Sequence, residues 1–151
     1  MQRREFLLLS GASVLAATAG CIGGEDAPTE PEYDDWFSNV PHFEGFEDYT
    51  DQDEVEVLVG AGERGFLFDP PAITIAPGTT VVFEWTGEGG EHEVSETTEF
   101  EWRNPEGLLD VEGHVWEREF PEREAGTHLY ECWPHVGSGM KGGIFVDAYA
   151  E

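Results

Sequence analysis

The sequence predicts an all-β domain, built as an antiparallel sandwich or barrel with Greek-key connections. Short segments of alternating apolar and polar residues follow one another after residue 50, and Gly, Pro and Asn residues separate them. No stretch there shows a helical period, and strands do not alternate with helices as they would in an α/β fold. With 151 residues the chain can form one domain with a substantial core, but not two ordinary domains.

Each strand is predicted from its own pattern of β-branched and aromatic residues. A Pro-Gly turn at 76–79 separates two of them and predicts a hairpin-like pair. The predicted strands are 55–59, 73–75, 80–85, 92–95, 114–120, 127–132 and 143–148.

The segment 33–49 differs from the rest because six aromatic residues stand in it among acidic ones. We expect partial helix or irregular structure, although a strand remains possible. Its aromatic side chains are expected to cap one end of the core.

The first 20 residues predict an export signal. Arg3 and Arg4 precede an apolar run from 7 to 19, which is shorter than the roughly 20 apolar residues that a membrane span needs. The paired arginines favour the twin-arginine route.

Cys21 follows small residues in a pattern that is similar to a lipobox, so we expect it to carry a lipid at the start of the mature chain. The alternative is ordinary cleavage near Ala19, with Cys21 left free or paired. Residues 21–32 are mostly Gly, Pro, Glu, Asp and Thr and predict a tether, which as a coil would reach roughly 18 Å. The folded domain is then expected at 33–151.

The charge excludes one class of partner. The chain has 33 acidic residues against 7 basic ones, a net charge of −26, and this surface would repel nucleic acid. A disordered acidic tail is disfavoured because the acids are spread among predicted strands. We favour a folded protein that works in concentrated salt, where charge repulsion is screened, and this composition is similar to that of halophilic proteomes.

A thiol, an imidazole and a thioether stand within nine residues at 132–140, as Cys132, His135 and Met140. A thiolate and imidazoles in a trigonal arrangement, with a weak axial thioether, form the blue-copper electron-transfer site. Strand parity places Cys132 on the same inward face as Tyr130 and His128. Gly137 and Gly139 permit the positive φ with which the loop would return. The pattern predicts one copper ion and a one-electron carrier.

The second imidazole must come from elsewhere, and His92, 40 residues before Cys132, is the best candidate. His128 lies four residues before Cys132 on an extended strand, roughly 13 Å away, and cannot share the ion. His42 and His114 are expected to be structural or surface residues. The predicted copper ligands are therefore His92, Cys132, His135 and Met140.

These residues resemble a known family. The Gly-x-His-x-Val pattern at 90–94, the segments 68–71 and 77–82, and the run 130–142 are similar to halocyanins, haloarchaeal relatives of plastocyanin and pseudoazurin. The resemblance covers about 33–146. It implies a cupredoxin Greek-key sandwich of about eight strands, with copper near one end and electrons passing through the edge of the loop histidine.

At three positions the residue differs from the one that is usual in that family. Glu93 stands where relatives commonly have an asparagine that ties the ligand loops together. Glu131 stands where plastocyanin-like chains often have a tyrosine that offers a second electron route. Trp133 is bulkier than the usual residue, and either extends the docking patch or is buried against the loop.

The sequence fits other functions less well. A fragment of a multicopper enzyme would need more ligands than five histidines and one available cysteine, and a copper store or delivery protein would favour further Cys or Met pairs. A zinc site would not use an axial methionine. The sequence therefore predicts a monomeric electron carrier, not an enzyme, which exchanges electrons with membrane-associated redox proteins. It is expected to be exported and anchored by lipid to the outer face of the cell membrane.

Overall fold

The computed structural model describes residues 27–150, which form two β-sheets packed face to face. One sheet has five strands in the order β1-β4-β9-β8-β6, and the other has four in the order β3-β2-β5-β7. Short 3₁₀ segments lie at Glu122–Glu124 and Trp133–Ser138. The strands are β1 (Glu47–Asp48), β2 (Glu54–Ala61), β3 (Leu67–Asp69), β4 (Ala72–Ile75), β5 (Thr79–Trp85), β6 (Ser95–Glu96), β7 (Val115–Phe120), β8 (Gly126–Glu131) and β9 (Lys141–Val146).

The predicted all-β sandwich is confirmed, and each of the seven predicted strands has a counterpart. Two of the nine strands, β1 and β3, were not predicted because they are only two and three residues long. The strand expected at 92–95 is reduced to β6, and His92 forms only an isolated bridge with Leu109.

The expectation of purely antiparallel pairing is wrong for three of the strand pairs. β1 runs parallel to β4, β4 to β9, and β2 to β5. The hairpin expected across 76–79 is also wrong, because β4 belongs to the five-stranded sheet and β5 to the four-stranded one. The turn, in which the Thr79 amide donates to the Ala76 carbonyl at 3.2 Å, carries the chain over the core from one sheet to the other.

The main core lies between the sheets, and alternate residues of β2, β5 and β9 point into it. In β2 the inward residues Val55, Val57 and Val59 are buried, while Glu54 and Glu56 face outward. In β8 the predicted parity holds, since His128 and Tyr130 are fully buried. This alternation is what places the residue after β8, Cys132, inside the molecule.

A second, smaller core lies outside the sandwich. Residues 33–46 form turns, and their aromatic side chains pack with Ala72 of β4 and Leu129 of β8. A Cβ atom on Gly143 would lie 2.9 Å from the Phe37 ring, so glycine there lets the aromatic side chains approach β9. The expectation of irregular structure for 33–49 is confirmed at 33–46, whereas 47–48 form the strand β1. The expectation that the aromatic side chains cap one end of the core is wrong, because most of them cover a face of the five-stranded sheet.

Residues before 33 also contact the five-stranded sheet. Residues 27–32 have no helix or strand, and the amide of Glu32 donates to the Thr127 hydroxyl at 2.9 Å. Within 27–150, no helix combines the length and apolar character that a membrane crossing needs. The predicted export signal and Cys21 lie outside the described residues.

Candidate metal centre

Three side chains that could bind a metal meet beyond the ends of β5 and β8: Cys132 and His135 from one loop, and His92 from a distant one. Sγ of Cys132 lies 3.7 Å from Nδ1 of His92 and 3.5 Å from Nδ1 of His135. The two Nδ1 atoms are 3.1 Å apart. Within 27–150, these three residues form the cluster of His, Cys, Asp and Glu side chains that could hold a metal ion, with ligand atoms within 4.8 Å of one another.

Cys132 follows the last residue of β8 and is fully buried. Burial raises the pKa of the thiol to about 11, while the backbone N–H groups of Glu93 and His135 favour the thiolate. A thiol of this kind is protonated at neutral pH unless a cation binds to its sulfur. The site therefore suits a metal ion that displaces the proton.

His92 is held in one orientation by the backbone. Its Nε2 lies 2.6 Å from the carbonyl oxygen of Glu88, so the N–H is on Nε2 and Nδ1 is left to act as a ligand. The indole of Trp85, the last residue of β5, donates to the His92 carbonyl at 3.1 Å. Burial lowers the pKa of His92 and keeps the imidazole neutral, as a ligand requires.

Sequence reasoning did not identify Glu88 as the partner that orients His92. The contact uses a backbone carbonyl, which any residue type can supply. The glycines at 87, 89 and 90 indicated only that this loop turns tightly.

His135 lies in the 3₁₀ segment Trp133–Ser138, and it is partly exposed. Its ring stacks on Phe66, with 4.4 Å between the centroids and 22° between the planes. Trp133, beside it in the same segment, is 59% exposed, so the reading in which this side chain is buried against the loop is wrong.

Met140, the predicted axial ligand, is fully buried directly before β9 and belongs to the same core cluster as Cys132. The Cys132 amide donates to the Met140 carbonyl at 3.1 Å, and the Met140 amide donates to the His135 carbonyl at 3.2 Å. The return of the loop requires a positive φ at Gly139 (91°), but not at Gly137, so the expectation for Gly137 is wrong.

The donor set fits copper. It combines one buried sulfur, two imidazole nitrogens and a neighbouring methionine, which is the combination that selects copper in blue sites. A structural zinc site would normally have four nitrogen, sulfur or oxygen donors without a thioether.

The other histidines stay away from this centre, as predicted. His128 is fully buried and accepts a hydrogen bond from the Trp102 indole at 2.9 Å. Nε2 of His42 lies 2.8 Å from the Phe68 carbonyl, and His114 lies 3.4 Å from a carboxylate oxygen of Glu106. All three contact other protein groups outside the metal cluster.

Glu93 and Glu131 are the two residues that differ from those usually found at these positions in the family that the sequence resembles. The Glu93 backbone faces the sulfur of Cys132, but its half-buried carboxylate lies in the field of Arg103 and of Glu131. Burial raises the pKa of Glu93. Among the hydrogen bonds of the described residues, none joins the Glu93 side chain to the loop that carries His135.

Comparisons with known proteins agree with this geometry. The family of copper binding proteins described as plastocyanin/azurin matches residues 55–147. A halocyanin of Natronomonas pharaonis is 41% identical over 162 aligned positions, covering 97% of this chain and 98% of that protein. A plastocyanin of Scenedesmus fuscus is 35% identical over 62% of this chain and 99% of its own length.

The solved structure of oxidised plastocyanin from Dryopteris crassirhizoma is 23% identical, with a TM-score of 0.49, over 61% of this chain and 99% of that one. The resemblance to halocyanins noted from the motifs is confirmed by the sequence comparisons.

Proposed function

Because the chain belongs to the plastocyanin/azurin family of copper-binding proteins and is a blue copper electron carrier, not an enzyme, we propose that four residues hold its single type 1 copper ion. These are His92, Cys132, His135 and Met140. The observation that carries the proposal is the convergence of the first three, with their ligand atoms within 4.8 Å of one another. When bound, copper supplies a one-electron couple between Cu(II) and Cu(I).

The protein keeps the ligands in place during oxidation and reduction. The Glu88 carbonyl fixes the His92 ring, and the Glu93 and His135 amides face the thiolate. The hydrogen bond from the Cys132 amide to the Met140 carbonyl holds the two ends of the loop together. Ligands held in this way need little rearrangement between the two oxidation states.

Electrons are proposed to enter and leave through His135. It is the partly exposed member of the cluster, whereas His92 and Cys132 are fully buried. Phe66 and the exposed Trp133 give its surroundings an apolar surface, on which a redox partner can exclude water. With Glu131 in place of a tyrosine, we propose no second route along β8.

The setting proposed for this carrier is the outer face of the cell membrane. The signal at 1–20 and lipid attachment at Cys21 would place the domain there as a monomer, on a tether that spans 21–32. Its partners are redox proteins, and we propose that they are associated with the same membrane. The contact of Glu32 with Thr127 shortens the free part of the tether.

The copper proposal is tested by adding Cu(II) to the purified, copper-free full-length chain, which contains both cysteines. The parent should develop an intense absorption band in the red part of the spectrum, which arises from the copper–thiolate bond. Cys132→Ser should remove the band, and Cys21→Ser is the matched control that should retain it. A parent without the band, or a Cys132→Ser variant that keeps it, would refute the proposal.

A further inference from the structure

The aromatic segment, residues 33–46, lies before the region that matches the copper-binding family, which begins at residue 55. It covers the outer face of the five-stranded sheet through Phe37 and Phe46, whose rings lie 2.9 Å and 3.1 Å from the position that a Cβ atom on Gly143 of β9 would take. Covering an apolar face would explain the aromatic side chains. It does not explain the polar contacts that the same segment makes with the ligand loop 132–140.

Asn39 makes the first of these contacts. Its side-chain amide donates to the carbonyl oxygen of Val136 at 3.3 Å, and the same oxygen accepts the Gly139 amide at 3.1 Å. A Cβ atom on residue 139 would collide with the backbone carbonyl oxygen of Asn39. Asn39 therefore lies against the part of the loop that joins His135 to Met140.

Trp36 and Lys141 make the second contact, immediately after Met140. The Lys141 ammonium donates to the Trp36 carbonyl at 3.1 Å and lies 4.8 Å from the centre of the Trp36 ring. The Trp36 indole donates to the Gly142 carbonyl at 3.2 Å. The aromatic segment thus holds the ligand loop in its middle and at its end.

We propose that Asn39 is a positioning residue for the two copper ligands His135 and Met140. Its hydrogen bond joins the ligand loop to a segment that is itself packed on the sheet. Among the described residues, the Glu93 side chain makes no hydrogen bond that could do the same. The expected change in copper binding on replacing Asn39 rests on the ligand set proposed above. The expected change in the stability of the loop does not, because it can be measured in the copper-free protein.

The test compares the parent with Asn39→Ala and with Ser38→Ala. Asn39 is exposed, so its truncation leaves the apolar packing intact, and Ser38 is its exposed neighbour, whose side chain makes no hydrogen bond in the described structure. In the copper-free protein, amide hydrogen exchange at Gly139 and Met140 should be faster in Asn39→Ala by about two- to tenfold, the range for losing one hydrogen bond. Exchange in β5 should not change, and Ser38→Ala should match the parent.

With copper bound, Asn39→Ala should change the ratio of the visible bands and release copper faster by a similar factor, while Ser38→Ala should do neither. Unchanged exchange at Gly139 and Met140 would overturn the proposal, and so would a uniform acceleration that includes β5. If the parent bound no copper while the exchange difference persisted, the ligand assignment would fail and the role of Asn39 in the loop would stand.

Discussion

The indole Nε1 of Trp102 donates a hydrogen bond to Nδ1 of His128 over 2.9 Å, in the interior of the sandwich. Because Nδ1 accepts, the proton of the neutral ring is on Nε2, which lies 2.8 Å from the Glu124 carbonyl. The ring also stacks on Phe100, with the centroids 3.8 Å apart. His128 is thus satisfied as a neutral base, and a second proton would have no acceptor on Nδ1.

This arrangement predicts a pH dependence of the free energy of unfolding. Burial lowers the pKa of His128, whereas the unfolded chain takes up the proton near its ordinary value of about 6.5. The contribution of His128 to stability is therefore complete above that value and is lost as the pH falls below it.

Denaturant unfolding of the copper-free domain at about pH 7.5 and about pH 5.5 measures the difference. His128→Phe should lose less stability between these two values than the parent loses. His92, whose pKa is also lowered, remains in both proteins and should leave a residual slope. Equal losses in parent and variant would mean that His128 is not held neutral.

Replacement of Met140 tests the axial position. Met140→Gln should lower the reduction potential, because an oxygen donor favours Cu(II) over Cu(I) more than a thioether does. Met140→Leu, which keeps the buried volume and removes the donor, should raise it. Voltammetry of the two variants and the parent measures both shifts, and unchanged potentials would show that Met140 does not coordinate copper.

The two glycines of the ligand loop should differ in their tolerance of alanine. At Gly139 the backbone is left-handed and a side chain would collide with Asn39, so Gly139→Ala should destabilise the domain by at least about 1–2 kcal/mol. At Gly137 nothing lies within 4 Å of a Cβ atom, and Gly137→Ala should change stability by no more than about 0.5 kcal/mol. Urea unfolding of both variants tests the contrast, which equal effects would contradict.

The proposed lipid anchor makes a prediction about where the protein is found. Cys21→Ser should move the domain from the membrane fraction to the medium, because the thiol is the only group proposed to carry the lipid. A variant altered at the neighbouring Gly20 is unsuitable as a control, since it alters the processing site itself. Glu25→Gln, within the tether, should remain in the membrane fraction, and a membrane-bound Cys21→Ser protein would refute lipidation.

The parts of the structure that were predictable depend on local pattern. Alternation along β8 was sufficient to place Cys132 inside. The spacing of Cys132, His135 and Met140 predicted a ligand loop, and the first two of these residues do meet His92. His92 was found because few other imidazoles were available. Each of these inferences uses either strand parity or the chemistry of a side chain.

What was not predicted depends on contacts between distant backbone segments. The parallel pairing of β2 with β5 and the crossing at 76–79 depend on how the sheets assemble, which local alternation does not specify. The carbonyl of Glu88 orients His92 without any characteristic side chain. The polar contacts of Asn39 are invisible in the sequence, because asparagine in a turn has many ordinary uses.

Lys141 is the only lysine in the sequence, and its ammonium is hydrogen-bonded to the Trp36 carbonyl beneath an aromatic ring. Cross-linking reagents that react with side-chain amines would therefore have one target, Lys141. Their reaction with it would disrupt its contact with Trp36. Carbodiimide coupling through the abundant carboxylates is the better chemistry for trapping a redox partner. It attaches at many points across the surface and leaves the ligand loop intact.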